Sequence, residues 1–576
     1  MWRMAALLLA IMANLQNLAW AQPAGVDEDA SVAIGRRIYR EGVLPSGQLL
    51  KGLAPAGVTL SGKDAACATC HRRSGYGSSE GPVEVRAITG PALFGSRVAP
   101  LAPGSAPAPE VAPARVGLGP AEAARANAVA LRAARAAAFA GSRPRPAYDE
   151  TSLARAIREG VDVNGHSMNA SMPRYALEPA ALEALSAYLK TLSAEVSPGV
   201  TEDAVHFATV IQPGIDPAQR SALLDVLQAF MRDRNLSMRT EARREQAGMV
   251  RLRRIYREWV LHVWDLNGSS DTWGTQLETH QREQPVFALV SGLGHATWRP
   301  IQEFSERFEV PCIFPQSDLP ARGDRDFYTV YLSSGIALEA QALAKFMQAE
   351  GERGPVVQVF RRGDETSTAA AAAFRKAWTA RGGAALVDRV IDQPPDDAFW
   401  QQQSRQSPGA SWVLWLSPQD LVQAQALTAF GSQAKLVYLS ASLNPGRRTG
   451  LAADGEGRVR LIYPQDLPAR RDARLGVVKQ WLQNNRIELS DEKLQMNAYL
   501  AATVTGMAVA HSMDTYSREF VVERLEHRMG TANELSIYPR LSLGPGQRYA
   551  SKGSYIVRVG GADDSQLEPL SDWIVP

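Results

Sequence analysis

Apolar and polar positions follow two different rhythms along this chain. Between about residues 30 and 195 the apolar residues recur in short runs at helical spacing. Val32, Ile34, Ile38 and Tyr39 predict a helix over 32–40 that stops near Gly42, with Gly35 free to admit a neighbouring helix. Leu153, Ala156 and Ile157 predict a second helix closed by Gly160. Leu182, Leu185, Leu189 and Leu192 predict a third over 179–192. Beyond about residue 203 the rhythm becomes apolar strand, turn, amphipathic helix. Strands are expected at 206–211, 259–264, 285–290, 310–314, 356–360, 412–416 and 436–439. Helices are expected at 217–234, with Asp216 as cap, and at 297–308, 367–381, 418–430 and 494–515. Such alternation predicts parallel sheets covered on both faces, and the length suits two lobes with a cleft between them.

At 576 residues the chain predicts two or three domains, and a net charge of +2 with no strong basic run excludes a dedicated nucleic-acid binder. The expected plan is a leader over 1–21, a helical domain over 30–195, a Pro/Gly-containing linker over 196–202 and an α/β domain over 203–576. Arg3, the short apolar run 5–12 and the small-x-small site Ala19-Trp20-Ala21 read as an export signal cleaved near Ala21. That run is too short to span a bilayer and no later one suffices. A soluble periplasmic protein is expected. Residues 98–146, first Pro/Ala-rich and then Ala/Arg-rich, read as an insertion within the first domain.

The chemistry concentrates in Cys67-Ala68-Thr69-Cys70-His71, the C-x-x-C-H sequence of haem c attachment. Two thiols one helical turn apart reach the two vinyl groups of one macrocycle, and the adjacent histidine becomes the proximal iron ligand. A zinc site needs further ligands, and the only other cysteine, Cys312, lies far away in an apolar stretch that predicts a buried structural thiol. One covalent haem c is therefore expected. A low-spin carrier also needs a second axial ligand downstream.

The helix over 32–40, the segment Gly90-Pro91-Ala92-Leu93-Phe94-Gly95 and the loop Ser171-Met172-Pro173-Arg174-Tyr175 before a final helix together resemble class I cytochrome c. The resemblance implies an all-α domain. It implies Met172 as the sixth iron ligand, with Met168 and His166 as rivals. It also implies Tyr175 as the ring beside the haem and the Pro91 carbonyl as acceptor for the proximal histidine's second ring N–H.

The later domain resembles the type I periplasmic substrate-binding fold of branched-chain amino-acid receptors. The residues concerned are Val286 through Gly294, Val310-Pro311-Cys312-Ile313-Phe314-Pro315-Gln316 and the stretch 327–333 before a helix. The tail Leu543-Gly544-Pro545-Gly546-Gln547-Arg548-Tyr549-Ala550-Ser551-Lys552-Gly553 is similar to that of receptor-like proteins encoded beside quinoprotein alcohol dehydrogenases. A cleft ligand is then expected at the carboxyl ends of strands, where Ser291, Gly292, Gln316, Ser317, Asp364, Ser417 and Ser440 lie. Asp318 in that neighbourhood disfavours an anionic ligand. Trp264, Trp273, Trp298, Trp400, Trp412 and Trp415 read as core.

Together the resemblances imply a monohaem periplasmic electron carrier, not an enzyme. Its receptor-like domain would bind a small ligand or dock a redox partner such as a quinoprotein dehydrogenase. The alternative is a solute-binding component of an ABC-type uptake or sensing system with an accessory haem. A peroxidase-like enzyme ranks last, because only one C-x-x-C-H is present.

Overall fold

The computed structural model describes residues 30–80, 83–95, 145–246, 256–323, 326–427, 433–444, 457–510, 516–530, 535–559 and 567–576. The expected leader, and nearly all of the expected insertion, lie outside them. The described chain divides into two compact units, one ending at Ala194 and the other beginning at Glu195.

The first unit packs helices α1 (Ala30–Glu41), α2 (Cys67–His71), α3 (Gly90–Phe94), α4 (Glu150–Glu159) and α5 (Pro179–Thr191). Gly35 lets α1 cross α5 closely: a Cβ there would stand 2.0 Å from the Ala184 carbonyl oxygen. Gly160 ends α4 in the left-handed conformation at φ 72°, as a C-cap glycine can. The expectation of an all-α unit needs correction. Strands β1 (Lys51–Leu53), β2 (Thr59–Ser61), β3 (Ser78–Glu80), β4 (Val83–Val85) and β5 (Arg174–Tyr175) form two small antiparallel sheets, β2-β1-β5 and β3-β4. The loops between helices satisfy their backbone groups by pairing with one another.

The second unit contains two sheets built to one plan. The first joins β6 (Ala204–Ile211), β7 (Glu258–Asp265), β8 (Ala288–Val290), β9 (Leu293–Gly294), β10 (Cys312–Ile313), β11 (Gln316–Ser317) and β12 (Thr329–Val330). Its parallel body runs β7-β6-β8-β10-β12, and the short pair β9-β11 extends beyond the strand ends. Helices α6 (Pro217–Gln246), α7 (Trp273–Glu283) and α8 (Arg299–Arg307) cover it. Next come α9 (Ile336–Ala349), β13 (Val356–Arg361), α10 (Glu365–Ala380), β14 (Leu386–Ile391), α11 (Asp397–Gln406), β15 (Ser411–Trp415), β16 (Leu436–Ser440) and β17 (Val459–Tyr463). The chain closes with α12 (Pro468–Asn484), α13 (Glu492–Ala510), α14 (Arg518–Arg528), β18 (Tyr555–Val559) and β19 (Leu567–Pro569). The second sheet repeats the first order as β14-β13-β15-β16-β17 and adds β18 and β19 antiparallel at one edge. Both bodies have the doubly wound 2-1-3-4-5 order.

The cores show how the lobes are wired. One buried cluster joins Val205, Phe287 and Leu332 to Leu475, Leu500 and Ala550. Two others join Ile336, Val357 and Tyr463 to Tyr555 and Leu567. The chain therefore passes between lobes three times, near residues 332–336, 463–475 and 550–555. This two-lobed α/β arrangement agrees with the fold that the resemblance implied. The helix expected over 418–430 is instead two short 3₁₀ turns, Pro418–Asp420 and Ala424–Leu427, with 428–432 outside the described residues. The six tryptophans singled out above are buried core residues, and so is Cys312.

One buried cation organises the entry to this unit. Arg518, in the first turn of α14, donates to five backbone carbonyls: Pro198, Val286, Phe287, Phe308 and Glu309. Burial lowers its guanidinium to about 10, so it keeps its charge at neutral pH. Replacing it orphans several buried acceptors at once. Arg518→Met is expected to destabilise the second unit by about 3–5 kcal/mol, the range for breaking a buried charged network. Denaturation followed by tryptophan fluorescence checks this selectively, since between the expected leader and residue 195 the chain carries no tryptophan.

Candidate functional site

In the first unit the Cys67–His71 segment is a single helical turn, which presents both sulfurs and the imidazole from adjacent positions. Arg72 follows at φ 65°, and the Tyr39 hydroxyl donates to its carbonyl at 2.7 Å, fixing the exit from the turn. His71 Nδ1 lies 2.9 Å from the Arg86 carbonyl oxygen. Burial, opposed by that carbonyl, lowers His71 below the ordinary histidine range. The neutral ring keeps Nδ1–H on Arg86 and leaves the Nε2 lone pair available.

The expected acceptor was Pro91, and the structure corrects this. The β3–β4 hairpin brings Arg86 back to the imidazole. Gly90 is instead seated on the end of α5, where its N–H donates to the Leu192 carbonyl at 2.8 Å and a Cβ would stand 2.3 Å from the Lys190 oxygen. The Pro91 carbonyl accepts the Gly95 N–H within α3.

The Met172–Tyr175 loop reaches the same neighbourhood through β5. Tyr175 pairs with Gly52, and its buried hydroxyl donates to the Ala65 carbonyl at 3.0 Å, two residues before Cys67. Burial raises the Tyr175 phenol, and the two thiols of Cys67 and Cys70 raise it further. Met172 and Met168 are half-buried, whereas His166 is exposed and turned toward Asp162 at 3.5 Å.

Burial pushes the Cys67 thiol up to about 12. A disulfide-exchange C-x-x-C depends on a lowered thiol, so that chemistry does not suit this site. Among the described residues no group of three or more His, Cys, Asp or Glu side chains is placed to hold a bare metal ion. The free Nε2, the two thiols on one turn and the Tyr175 hydroxyl anchored two residues before Cys67 fit a covalent haem.

In the second unit the sequence-predicted cleft residues separate into two sets. Ser291 and Gly292 make a sharp turn at the end of β8, at the switch point between β8 and β6. Ser291 has φ 56° and a buried hydroxyl without a hydrogen-bond partner among the described residues, while Gly292 has φ 126° under the Trp298 ring. Gln316 donates to the Leu494 carbonyl at 2.9 Å, and the Ser317 hydroxyl accepts the Leu319 N–H. Ser440 is fully buried and its hydroxyl accepts the Leu443 N–H. Asp364 is an ordinary helix cap, and Ser417 holds a neighbouring carboxylate. Asp364 accepts the Thr366 and Ser367 N–H groups, and the Ser417 hydroxyl donates to Asp420.

The charged groups that join the lobes escaped the sequence reading, Asp318 excepted. Lys493, in the first turn of α13, belongs to the first lobe, and Glu339, in the first turn of α9, to the second. Burial opposes the Lys493 charge, yet Asp318, Tyr538, Glu339 and Asp491 raise it above the ordinary lysine range. Among the described residues its ammonium forms no hydrogen bond or close ion pair. Glu339 is fully buried, and among the described residues neither carboxylate oxygen has a well-directed hydrogen bond. Burial pushes its carboxyl up to about 7, against the pull of Ser442, Ser440 and Lys493. Asp318 pairs with His295 at 3.1 Å, which raises His295, and His295 also reaches Gln219 at 3.3 Å. The available signal was Glu339 itself, an acid within the apolar run Ile336-Ala337-Leu338-Glu339-Ala340.

No family model and no curated protein matches the chain. Solved structures do. An ABC transporter substrate-binding protein from Aeropyrum pernix is 13% identical, with 65% of this chain and 97% of that one covered, at a TM-score of 0.47. A leucine-binding protein from Thermotoga maritima is 13% identical over 65% and 99%, at 0.45. A branched-chain amino acid ABC transporter protein from Thermus thermophilus, solved with bound valine, is 12% identical over 65% and 97%, at 0.46. The two-lobed architecture stands on its own strand order and crossings.

Because the folded Glu339 holds its proton to about 7 and an ordinary glutamate only to 4.5, the folded state binds more protons between these values. Stability should then fall as pH rises through that window, by up to about 3 kcal/mol. Glu339→Gln should remove this component and be the more stable protein at pH 8, as measured by denaturant midpoints across pH.

Proposed function

We propose that this protein is a periplasmic binding protein that holds a small polar ligand between the lobes of its second unit, and that its first unit carries one covalent haem c. The receptor reading is carried by one observation: two doubly wound lobes, crossed three times by the chain, meet at a charged cluster contributed from both sides. Lys493 and Asp318 come from one lobe, Glu339 and Ser440 from the other. Three crossings of this kind make a hinge, and a ligand that engages both lobes draws them together. The ligand's donors would face Glu339 and Asp318, and its acceptors Lys493.

The haem reading rests on Cys67, Cys70 and His71, with Met172 proposed as the sixth ligand. His71 offers Nε2 to iron because Arg86 holds the other nitrogen. A thioether opposite would favour the ferrous state and raise the potential. This supports a second reading, electron transfer, in which the haem accepts one electron from a periplasmic partner such as a quinoprotein dehydrogenase. The receptor-like unit then senses a ligand or docks that partner. No described helix is long and apolar enough to cross a membrane.

Native mass spectrometry of the protein exported from cells that mature haem c tests both parts separately. The expected mass is the processed chain plus one haem that survives denaturation, reduced to a single thioether in Cys67→Ala. A haem-free mass defeats the cytochrome part alone. Ligand mass that leaves on gentle activation, and is lost in Lys493→Met, supports the receptor part. Ligand retained equally by that variant defeats the assigned cluster.

A further inference from the structure

The parallel pairing of β6 with β7 aligns His206 with Val260 and Ala208 with His262. The two histidines thus share one face of the sheet as diagonal neighbours, close enough for long side chains to meet. His206 Nδ1 and His262 Nε2 stand 3.0 Å apart, with the rings 5.3 Å between centroids and inclined by 25°. Both side chains are half-buried, and among the described residues their outer nitrogens make no other hydrogen bond. His206 sits near the start of β6, away from the strand ends that carry the ligand cluster. The Asp203 carboxylate lies near enough to His206 for a positive charge at that position to favour its ionised form.

We propose that His206 and His262 form a chelating site for a divalent transition-metal ion of the copper(II) or nickel(II) class. Two nitrogens bound at right angles to one metal, with bonds of about 2.0–2.1 Å, stand about 2.9 Å apart. The observed separation matches this spacing. Imidazole suits these ions, and tetragonal coordination leaves the remaining positions to water on the solvent side. The metal takes the lone pairs of both facing nitrogens. The proton now shared between them moves to the outer nitrogen of the ring that carries it, Nε2 of His206 or Nδ1 of His262, so no net proton is needed or released. The Asp203 carboxylate adds a favourable field for a cation.

Calorimetric titration of the full-length exported protein with copper(II) chloride, at neutral pH in a non-coordinating buffer, tests this site. One equivalent should bind, and its affinity should fall at least tenfold in His206→Gln and again in His262→Gln taken singly. His280→Gln, which alters the nearby ring stacked on Trp264, should bind as the parent does. Electron paramagnetic resonance of the parent's copper complex should show two equatorial imidazole nitrogens, a readout that does not depend on either variant folding. Absence of binding, parent-like binding by either histidine variant, or coupling to fewer than two imidazoles would overturn the proposal.

Discussion

Five carbonyl oxygens converge on the Arg518 guanidinium, and the beginning of the second unit depends on that convergence. Pro198 belongs to the connecting segment, Val286 and Phe287 lead into β8, and Phe308 and Glu309 follow α8. These segments approach one another with carbonyls directed inward, so without a buried donor each would lose its water unrewarded. A fork of N–H groups on one rigid plane satisfies them together. The connecting segment, the amino end of a central strand and the helix that carries Arg518 are thereby set in one frame. The turn at Ser291-Gly292 lies at the other end of the strand so fixed.

The same economy does not hold where the lobes meet. Lys493, Asp318, His295 and Glu339 are only partly matched to one another. Glu339 retains a proton because its surroundings offer too little in return for an ionised carboxylate. Under the proposed function, groups left in this condition between the lobes are suited to exchanging partners when a ligand enters. Fully satisfied networks such as that of Arg518 hold one geometry. The molecule therefore places its rigid polar network within a lobe and its unsatisfied one at the lobe boundary.

In the first unit His71 illustrates how one small element redirects an imidazole. A three-residue strand pair between Ser78 and Val85 is enough to bring Arg86 to the imidazole. The Gly-Pro segment that the resemblance assigned to this task is occupied in packing on α5. The function of the carbonyl is the same from either source: it selects the tautomer that leaves Nε2 free.

What the sequence determined by itself was local and periodic. Helical spacing located α1, α4 and α5, since burial of one face repeats every three to four residues. Strand runs located β6, β7, β13, β15 and β16, because central parallel strands are apolar throughout. The C-x-x-C-H turn was legible because its chemistry lies within five consecutive residues. Only the tertiary structure decided the rest. That Arg86 replaces Pro91, and that Lys493 and Glu339 come within electrostatic reach, are facts of residues distant in sequence. The His206–His262 contact likewise follows from strand register. No periodicity encodes these meetings, because they are fixed by strand order, chain crossings and the demand that each buried polar group find a partner.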